Sequence, residues 1–443
     1  MKKNVIVSLA MAIAILAIIL GGGYYIYKNI LNIDIIYKGV TIDEIDVSGK
    51  TMEQALEYIK KVKTAEIKGK SMNLIYGEKI YKLALVDLGF SYDYHKALKN
   101  ALQLGREGNF LKRLRTIAKL KKGANIPLES FYSSEKAENI VNVIAKEINT
   151  DPEDATITID KGKLLLTDEE MGKRVLMEDL LTLIDDNINK LEDIIIPVED
   201  VKPLVTKNLL SRINGIIGEF STSFKGSSKN RIENIRLSAN AISNNLVLPG
   251  QEFSYNNTTG PRSAEAGYRE ANVIIGGELT PDLGGGVCQT STTLYNALLL
   301  ADLTVVERHH HSIPVGYVPI GQDAAVAYGY LDLKFKNNFD FPILIHSKVV
   351  GDRVYVQIYG DTKAKDYSVK ISPQIVETIQ PETEIIFDSS VEPGESILVQ
   401  KGRTGYKVVT YKSIIKDGKV ISKKQITQDH YRKKDYIYNI GPE

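Results

Sequence analysis

Cysteine is almost missing from this chain. One thiol in 443 residues, Cys288, excludes an intramolecular disulfide, so it is inert packing, a link to another chain, or a reactive group. Charge of either sign is not in excess: a net +1 lacks the basic surplus that nucleic-acid binding selects, and no nucleic-acid partner is expected. Histidine is sparse, six in all, yet His309, His310 and His311 stand together. In an extended segment neighbours face opposite ways, so the three cannot converge on one ion, and no metal or other cofactor is expected. Apolar runs of spanning length are absent after Tyr27, so no second membrane span is expected.

The apolar run that does exist sits at the start. Lys2 and Lys3 precede Val5 to Tyr27, a stretch uncharged and apolar apart from Ser8, long enough to cross a bilayer as a helix. No small-x-small cleavage site follows it. Tyr24, Tyr25 and Tyr27 form an interfacial belt before Lys28, which favours a retained signal anchor over a removed signal peptide. The two lysines place the start of the chain in the cytoplasm and the rest outside, as a single-pass membrane protein.

The position of the thiol favours reactivity. Cys288 follows Gly284-Gly285-Gly286-Val287 and precedes a helix expected from Gln289 to Asp302. Amides at a helix N-terminus stabilise a thiolate, and a glycine-rich approach lets substrate come close to the backbone. The competing reading is a small buried apolar residue that happens to be sulfur. A thiol nucleophile needs an imidazole to take its proton, and Glu307-Arg308-His309-His310-His311-Ser312 supplies one on an expected later strand. His311 is the base candidate, with His309 and His310 read as polar strand residues. Asp323, in a Gly-Gln-Asp turn, would orient the ring by accepting its hydrogen bond; Glu307 is the alternative, and Asp323 equally satisfies its own turn. Arg308 would hold a substrate carboxylate or form a structural ion pair. For a developing oxyanion, the amide of Cys288 and a neighbouring donor such as Gln289, on the loop at Gly286, are the natural candidates.

These residues resemble a known family. Gly284 to Ala297, then Glu307-Arg308, His311-Ser312, Pro314-Val315 and Gly321-Gln322-Asp323-Ala324 are similar to the VanW domain, as are the upstream Phe253-Ser254-Tyr255-Asn256 and Thr259-Gly260-Pro261-Arg262. The resemblance covers residues 210–345. It departs from the family pattern at Ala325, where a threonine is usual. Some members of the family are regarded as peptidoglycan L,D-transpeptidases whose nucleophile is the motif cysteine. The resemblance therefore implies a thioester acyl-enzyme on Cys288 that crosslinks stem peptides, with His311 as base. A non-catalytic wall-binding or regulatory protein and a hydrolase with the same dyad are the other readings.

The whole chain reads as an α+β multidomain protein. Residues 1–31 hold the cytoplasmic start and anchor. Residues 32–205 alternate strands and helices, and Leu88 to Asp93 followed by a helix is echoed by Met171 to Asp179 followed by a helix. This segment is similar to the peptidoglycan-binding repeats found ahead of VanW domains. Inside it, Arg106 to Lys122 reads as an amphipathic basic helix that either meets anionic polymer or lipid head groups or simply presents lysines to water. Residues 365–443 read as strands: Glu384 to Phe387, Ser396 to Lys401, Gly405 to Ile415 and Lys419 to Gln428, with Asp417-Gly418 as a hairpin turn and His430 on the surface. They resemble a small all-β G5 domain. The partners so implied are peptidoglycan stem peptides and glycan, plus the membrane through the N-terminal helix, and the implied location is the outer face of the membrane towards the cell wall.

Overall fold

A 25-residue helix, Lys2–Ile26, opens the chain with no buried side chain and is prolonged to Leu31 by a π-helical turn. At 1.5 Å per residue the helix is roughly 37 Å long, and the run is apolar enough to cross a membrane. The computed structural model describes residues 2–442, so Met1 and Glu443, the outer limits of the first and last expected domains, lie outside the described residues. The chain divides into two compact units, Met1–Pro152 with Met171–Lys202, and Glu153–Glu170 with Pro203–Glu443.

The first unit buries two apolar clusters. One gathers Val40, Ile42, Ile59 and Leu98, the other Leu74, Leu88, Val141, Leu180 and Ile184. Helices Met52–Ile67, Tyr94–Gln103 and Ser134–Ile148 start where Thr51, Asp93 and Ser133 accept an amide three residues on, which satisfies a donor that the helix end leaves free. Strand Ser91–Tyr92 leads into helix Tyr94–Gln103 as strand Gly172–Val175 leads into helix Met177–Asn187. The basic helix is shorter than Arg106 to Lys122. It runs Phe110–Leu120, because Gly108 takes φ +91° and Asn109 caps the start. Arg106 turns inward and donates from Nη2 to the carbonyls of Ile33 and Ile35 at 2.7 and 2.8 Å, while Arg113 donates to that of Leu31. Arg106, ahead of the helix, and Arg113, within it, therefore brace the chain at Leu31, Ile33 and Ile35.

In the second unit a hairpin, Ile157–Asp160 with Lys163–Leu166, stands apart from the rest of the expected 32–205 domain. The reason is burial: Ala155 and Ile157 pack with Val205, Leu210, Ile213, Leu344 and Tyr359. The elements that follow are β1 (Gly215–Ser223), α1 (Lys229–Ile242), β2 (Asn245–Val247), β3 (Glu252–Ser254), β4 (Glu270–Ile275), β5 (Glu278–Leu283), α2 (Val287–Leu300), β6 (Thr304–Glu307), β7 (Lys334–Lys336), β8 (Ile343–Val350) and β9 (Arg353–Gly360). They form a four-stranded antiparallel sheet in the order β1-β9-β8-β2, a three-stranded sheet β3-β7-β6 and the separate hairpin β4-β5. Helix α2 is buried among these, with Leu294, Tyr295 and Leu298 packed against Phe335, Ile345 and Ile358. A side chain on Gly218 of β1 would fall 2.5 Å from the Ala301 nitrogen, so the end of α2 lies directly on the strand backbone.

The chain closes with β10 (Ser368–Ile379), β11 (Thr383–Phe387), β12 (Ser396–Gln400), β13 (Gly405–Lys416), β14 (Lys419–Tyr431) and β15 (Tyr436–Ile440), in two sheets ordered β10-β13-β14 and β11-β15-β12. Strand β10 is not among the expected strands because it contains Pro373, which an edge strand tolerates. Strand β14 runs three residues beyond its expected end at Gln428.

Candidate active site

Three glycines in a row let two backbones and one side chain crowd the loop that precedes the thiol. A side chain on Gly284 would meet the Arg262 stem at 2.9 Å, one on Gly285 the Ala271 carbonyl oxygen of β4 at 2.5 Å, and one on Gly286 the Arg231 carbonyl oxygen of α1 at 2.9 Å. Gly286, at φ +112°, is the N-cap of α2, so Cys288 is the second helical residue, two residues further inside than a start at Gln289 implies. The thiol is half-buried, its Sγ 3.4 Å from the Val326 carbonyl oxygen. Among the described residues the Cys288 N–H has no acceptor, as expected for a first-turn amide.

The polar run after the thiol is buried, and each hydroxyl has work. Ser291 Oγ donates to the Ala324 carbonyl at 2.7 Å, Thr292 Oγ1 accepts from the Ala324 amide at 2.9 Å, and Asn296 donates to the Gln322 carbonyl at 2.8 Å. The helix that carries Cys288 thereby grips the turn that carries Asp323. On another side Thr290 pairs with Ser238 at 2.8 Å and Thr293 with Thr222 at 2.8 Å.

His311 lies beyond the strand, not on it. Strand β6 ends at Glu307, and beyond it His309 forms an isolated bridge with Ala325. The expected strand alternation fails here because Asp323 Oδ2 accepts both the His311 backbone N–H and the ring Nδ1, each at 2.6 Å, which takes the amide out of any ladder. A carboxylate only accepts, so Nδ1 bears the proton and Nε2 is left for the thiol. Glu307 is engaged elsewhere, with Lys334 at 2.9 Å and His309 at 3.1 Å, so it does not orient His311. His310 Nδ1 donates to the His311 carbonyl at 2.7 Å.

Charge follows from this geometry. Burial pushes the Cys288 thiol up, but the hydrogen bond and charge of His311, with the Val326 backbone and the charge of Arg262, bring it below its ordinary value. Burial pushes His311 down, yet Asp323 and Cys288 lift it to about 9. Burial pushes Asp323 up, and His311 with Arg308 brings it to about 2. The three groups share one environment and favour thiolate, imidazolium and carboxylate together.

Two of the expected substrate contacts are placed differently. The Gln289 side chain is buried, donating to Thr222 and Ser223 at 3.1 and 2.9 Å and accepting from Arg231 at 3.1 Å, and its amide donates to the Gly286 carbonyl. It has no donor to spare for an oxyanion. Arg308 is 6% exposed at its side chain, lies 2.5 Å from Asp429 and 3.5 Å from Asp323, and donates to the Asp323 carbonyl at 2.7 Å. It lines a cavity of about 720 Å³ with Asp429, not the one that holds Cys288, so it is an ion-paired brace and not a carboxylate receptor there.

Asp429 and Tyr431 were not candidates in the sequence. Both project from β14: Asp429 holds Arg308, and the Tyr431 hydroxyl donates to Asp323 Oδ1 while accepting the Gly321 amide at 3.0 Å. The signal available was period-two patterning, Asp429 and Tyr431 buried on one face and His430 exposed between them.

Cys288 and His311 line a cavity of about 860 Å³ whose walls come from Arg231, Arg262, the β4-β5 hairpin and the Ile313–Tyr317 segment. Among the described residues no three His, Cys, Asp or Glu side chains are grouped to hold a metal ion. A thiol whose ionised form is favoured, a paired acid-base and the free amide of Cys288 at one end of a cavity can carry out acyl transfer on a carbonyl.

Family models match three stretches. Residues 230–359 match "VanW like protein", residues 81–195 match "Putative peptidoglycan binding domain", and residues 373–443 match "G5 domain". The uncharacterized protein YoaR of Bacillus subtilis (strain 168) is 41% identical over 166 residues, 37% of this chain and 55% of that protein. The vancomycin B-type resistance protein VanW of Enterococcus faecalis is 28% identical over 138 residues, 30% of this chain and 50% of that protein. The chain thus spans about half the length of each relative. Among solved structures, HP0197-G5 is 29% identical with 97% of it covered and a TM-score of 0.13, and the IgA1 protease G5 domain is 15% identical with 93% covered and a TM-score of 0.15; each match covers 17% of this chain.

Proposed function

The chain is a VanW-domain protein with a peptidoglycan-binding domain ahead and a G5 domain behind, and on that premise we propose that it is a wall-associated L,D-transpeptidase with Cys288 as its nucleophile. The observation that carries the reading is the line from Cys288 through His311 to Asp323, set at a helix N-terminus and open to a cavity of about 860 Å³. The two flanking domains supply the association with wall polymer. The Lys2–Ile26 helix supplies the membrane anchor, with the bulk of the chain outside.

The thiolate attacks the carbonyl of the diamino acid in a donor stem peptide, and the carbonyl electron pair moves to oxygen. That oxyanion faces the Cys288 N–H and the end of α2. Collapse forms the thioester and breaks the bond to the terminal residue, whose amine takes its proton from the His311 imidazolium. The amine of a second stem then gives its proton to the neutral ring and attacks the thioester, which restores the thiolate and completes the crosslink. Asp323 holds the ring in the required tautomer throughout. A thioester is activated towards amines, and a site that limits water holds it for transfer.

The test is the purified chain with a disaccharide tetrapeptide and mass spectrometry of the products. Crosslinked dimers with loss of the terminal residue are expected. Trimmed peptide alone would make the protein a hydrolase, and unchanged substrate would make it a binding protein.

A further inference from the structure

The cavity that holds the thiol also holds a cation with an unused donor. Arg262 follows Pro261 at the end of the Tyr255–Thr259 helical turn, and its Nη1 donates to the Gly260 carbonyl at 2.9 Å. Its Nη2 is shut off from solvent and, among the described residues, has no acceptor. The guanidinium lies 5.7 Å from the Tyr255 ring and 5.8 Å from the Tyr328 ring, so aromatic faces flank the charge. Its stem occupies the space a Gly284 side chain would need, so the loop that delivers Cys288 is shaped around this residue.

The other charged groups on the cavity are accounted for. Arg231 donates to Gln289, and Asp282 accepts the Leu283 amide at 2.7 Å. A sequestered guanidinium N–H without an acceptor is costly, and a carboxylate is the group whose two oxygens match the fork of an arginine. The apolar wall of Pro261, Ile313, Pro314 and Val315 excludes water from such a pair and strengthens it.

We propose that Arg262 is the specificity residue of this site and receives a carboxylate of the donor peptide, one of the two roles that sequence alone left open for Arg308. The inference rests on the acyl-transfer reading for the identity of the donor. In that donor the terminal carboxylate belongs to the expelled residue, one residue beyond the attacked carbonyl. The side-chain carboxylate of the diamino acid is the second source of the same chemistry.

Calorimetry in the Cys288→Ala background separates binding from chemistry. Three ligands are compared: a stem tetrapeptide, its terminal carboxamide, and the peptide amidated at the diamino acid side chain. We expect the terminal carboxamide to bind at least about tenfold more weakly, the scale of one charged hydrogen bond. Arg262→Gln should erase the difference by weakening only the free acid, and Arg262→Lys should recover part of it. If side-chain amidation carries the Arg262-dependent loss instead, the proposal stands with the diamino acid as the carboxylate source. Equal binding of all three ligands by the Arg262 protein, or discrimination that persists in Arg262→Gln, overturns it. Mass spectrometry of the unmodified chain checks the underlying reading separately: absence of a Cys288 acyl adduct together with Arg262-dependent binding would remove the transferase and leave carboxylate recognition in place.

Discussion

Because its partners bring the Cys288 thiol down and lift His311 to about 9, the site favours the thiolate and imidazolium form of the pair. Acylation needs both charges, so kcat/KM should rise with pH through a value below the ordinary thiol range and fall again as pH passes about 9, where the ring loses its proton. A profile that still climbs above pH 10 would contradict the assignment of His311. Alkylation of the folded protein by iodoacetamide should accordingly proceed below the pH a free cysteine needs, and should slow in His311→Ala. Cys288→Ala should abolish crosslinking with wall binding retained. His311→Ala should cost at least about a hundredfold in kcat, and His309→Ala and His310→Ala much less, in steady-state assays of folded variants. At this scale much was legible. A solitary thiol after three glycines, a histidine in a cluster and an aspartate in a Gly-Gln turn are chemically loud, and the structure brings them together. Gln289 as an oxyanion donor and the carboxylate-holding alternative for Arg308 do not fit this geometry, because side-chain direction in an irregular segment, and the partner of a buried polar group, depend on tertiary contacts that local spacing does not encode.

Strand β14 is the element that completes the site from far along the chain. Asp429 compensates the buried Arg308 charge, so Asp429→Ala should destabilise the second unit by about 3–5 kcal/mol, read from denaturant unfolding, since it removes the nearer of the two carboxylates beside a buried guanidinium. Tyr431→Phe removes the hydroxyl from Asp323 and from the Gly321 amide. It should lower kcat by about tenfold, one lost hydrogen bond to a charge, with KM unchanged; an unaltered kcat would relegate Tyr431 to packing. The expected strand ended at Gln428, one residue short of the first of these groups. Alternation of polar residues weakened the strand signal just where they turn inward. The β4-β5 hairpin was also legible in principle, through its Gly276-Gly277 turn. Helix α2, by contrast, lies within two residues of its expected limits, because its apolar run and the positive-φ residues Gly286 and Asp302 at its two ends punctuate it clearly.

For the molecule as a whole, the N-terminal helix and the chain that follows it meet without slack. Leu31 is buried, and its carbonyl accepts from Tyr37 and Arg113. A chain shortened through Ile26 should leave membranes in a sedimentation assay and keep crosslinking in solution. One shortened through Leu31 should melt roughly 5 °C lower, the scale of a lost buried leucine. The order of modules along the chain was readable because each carries its own motif, whereas the hairpin at Ile157–Leu166 shows that segments adjacent in sequence do not always share a core. The contribution of β14 has a further consequence, one of timing. Synthesis from the amino end delivers Cys288 well before Asp429 and Tyr431. Until the last strands pair, Arg308 lacks Asp429 and Asp323 lacks the Tyr431 hydroxyl. Under the proposed function the C-terminal strands would act as a completion check, because a chain that stops short of β14 would carry Cys288 without Asp429 and Tyr431.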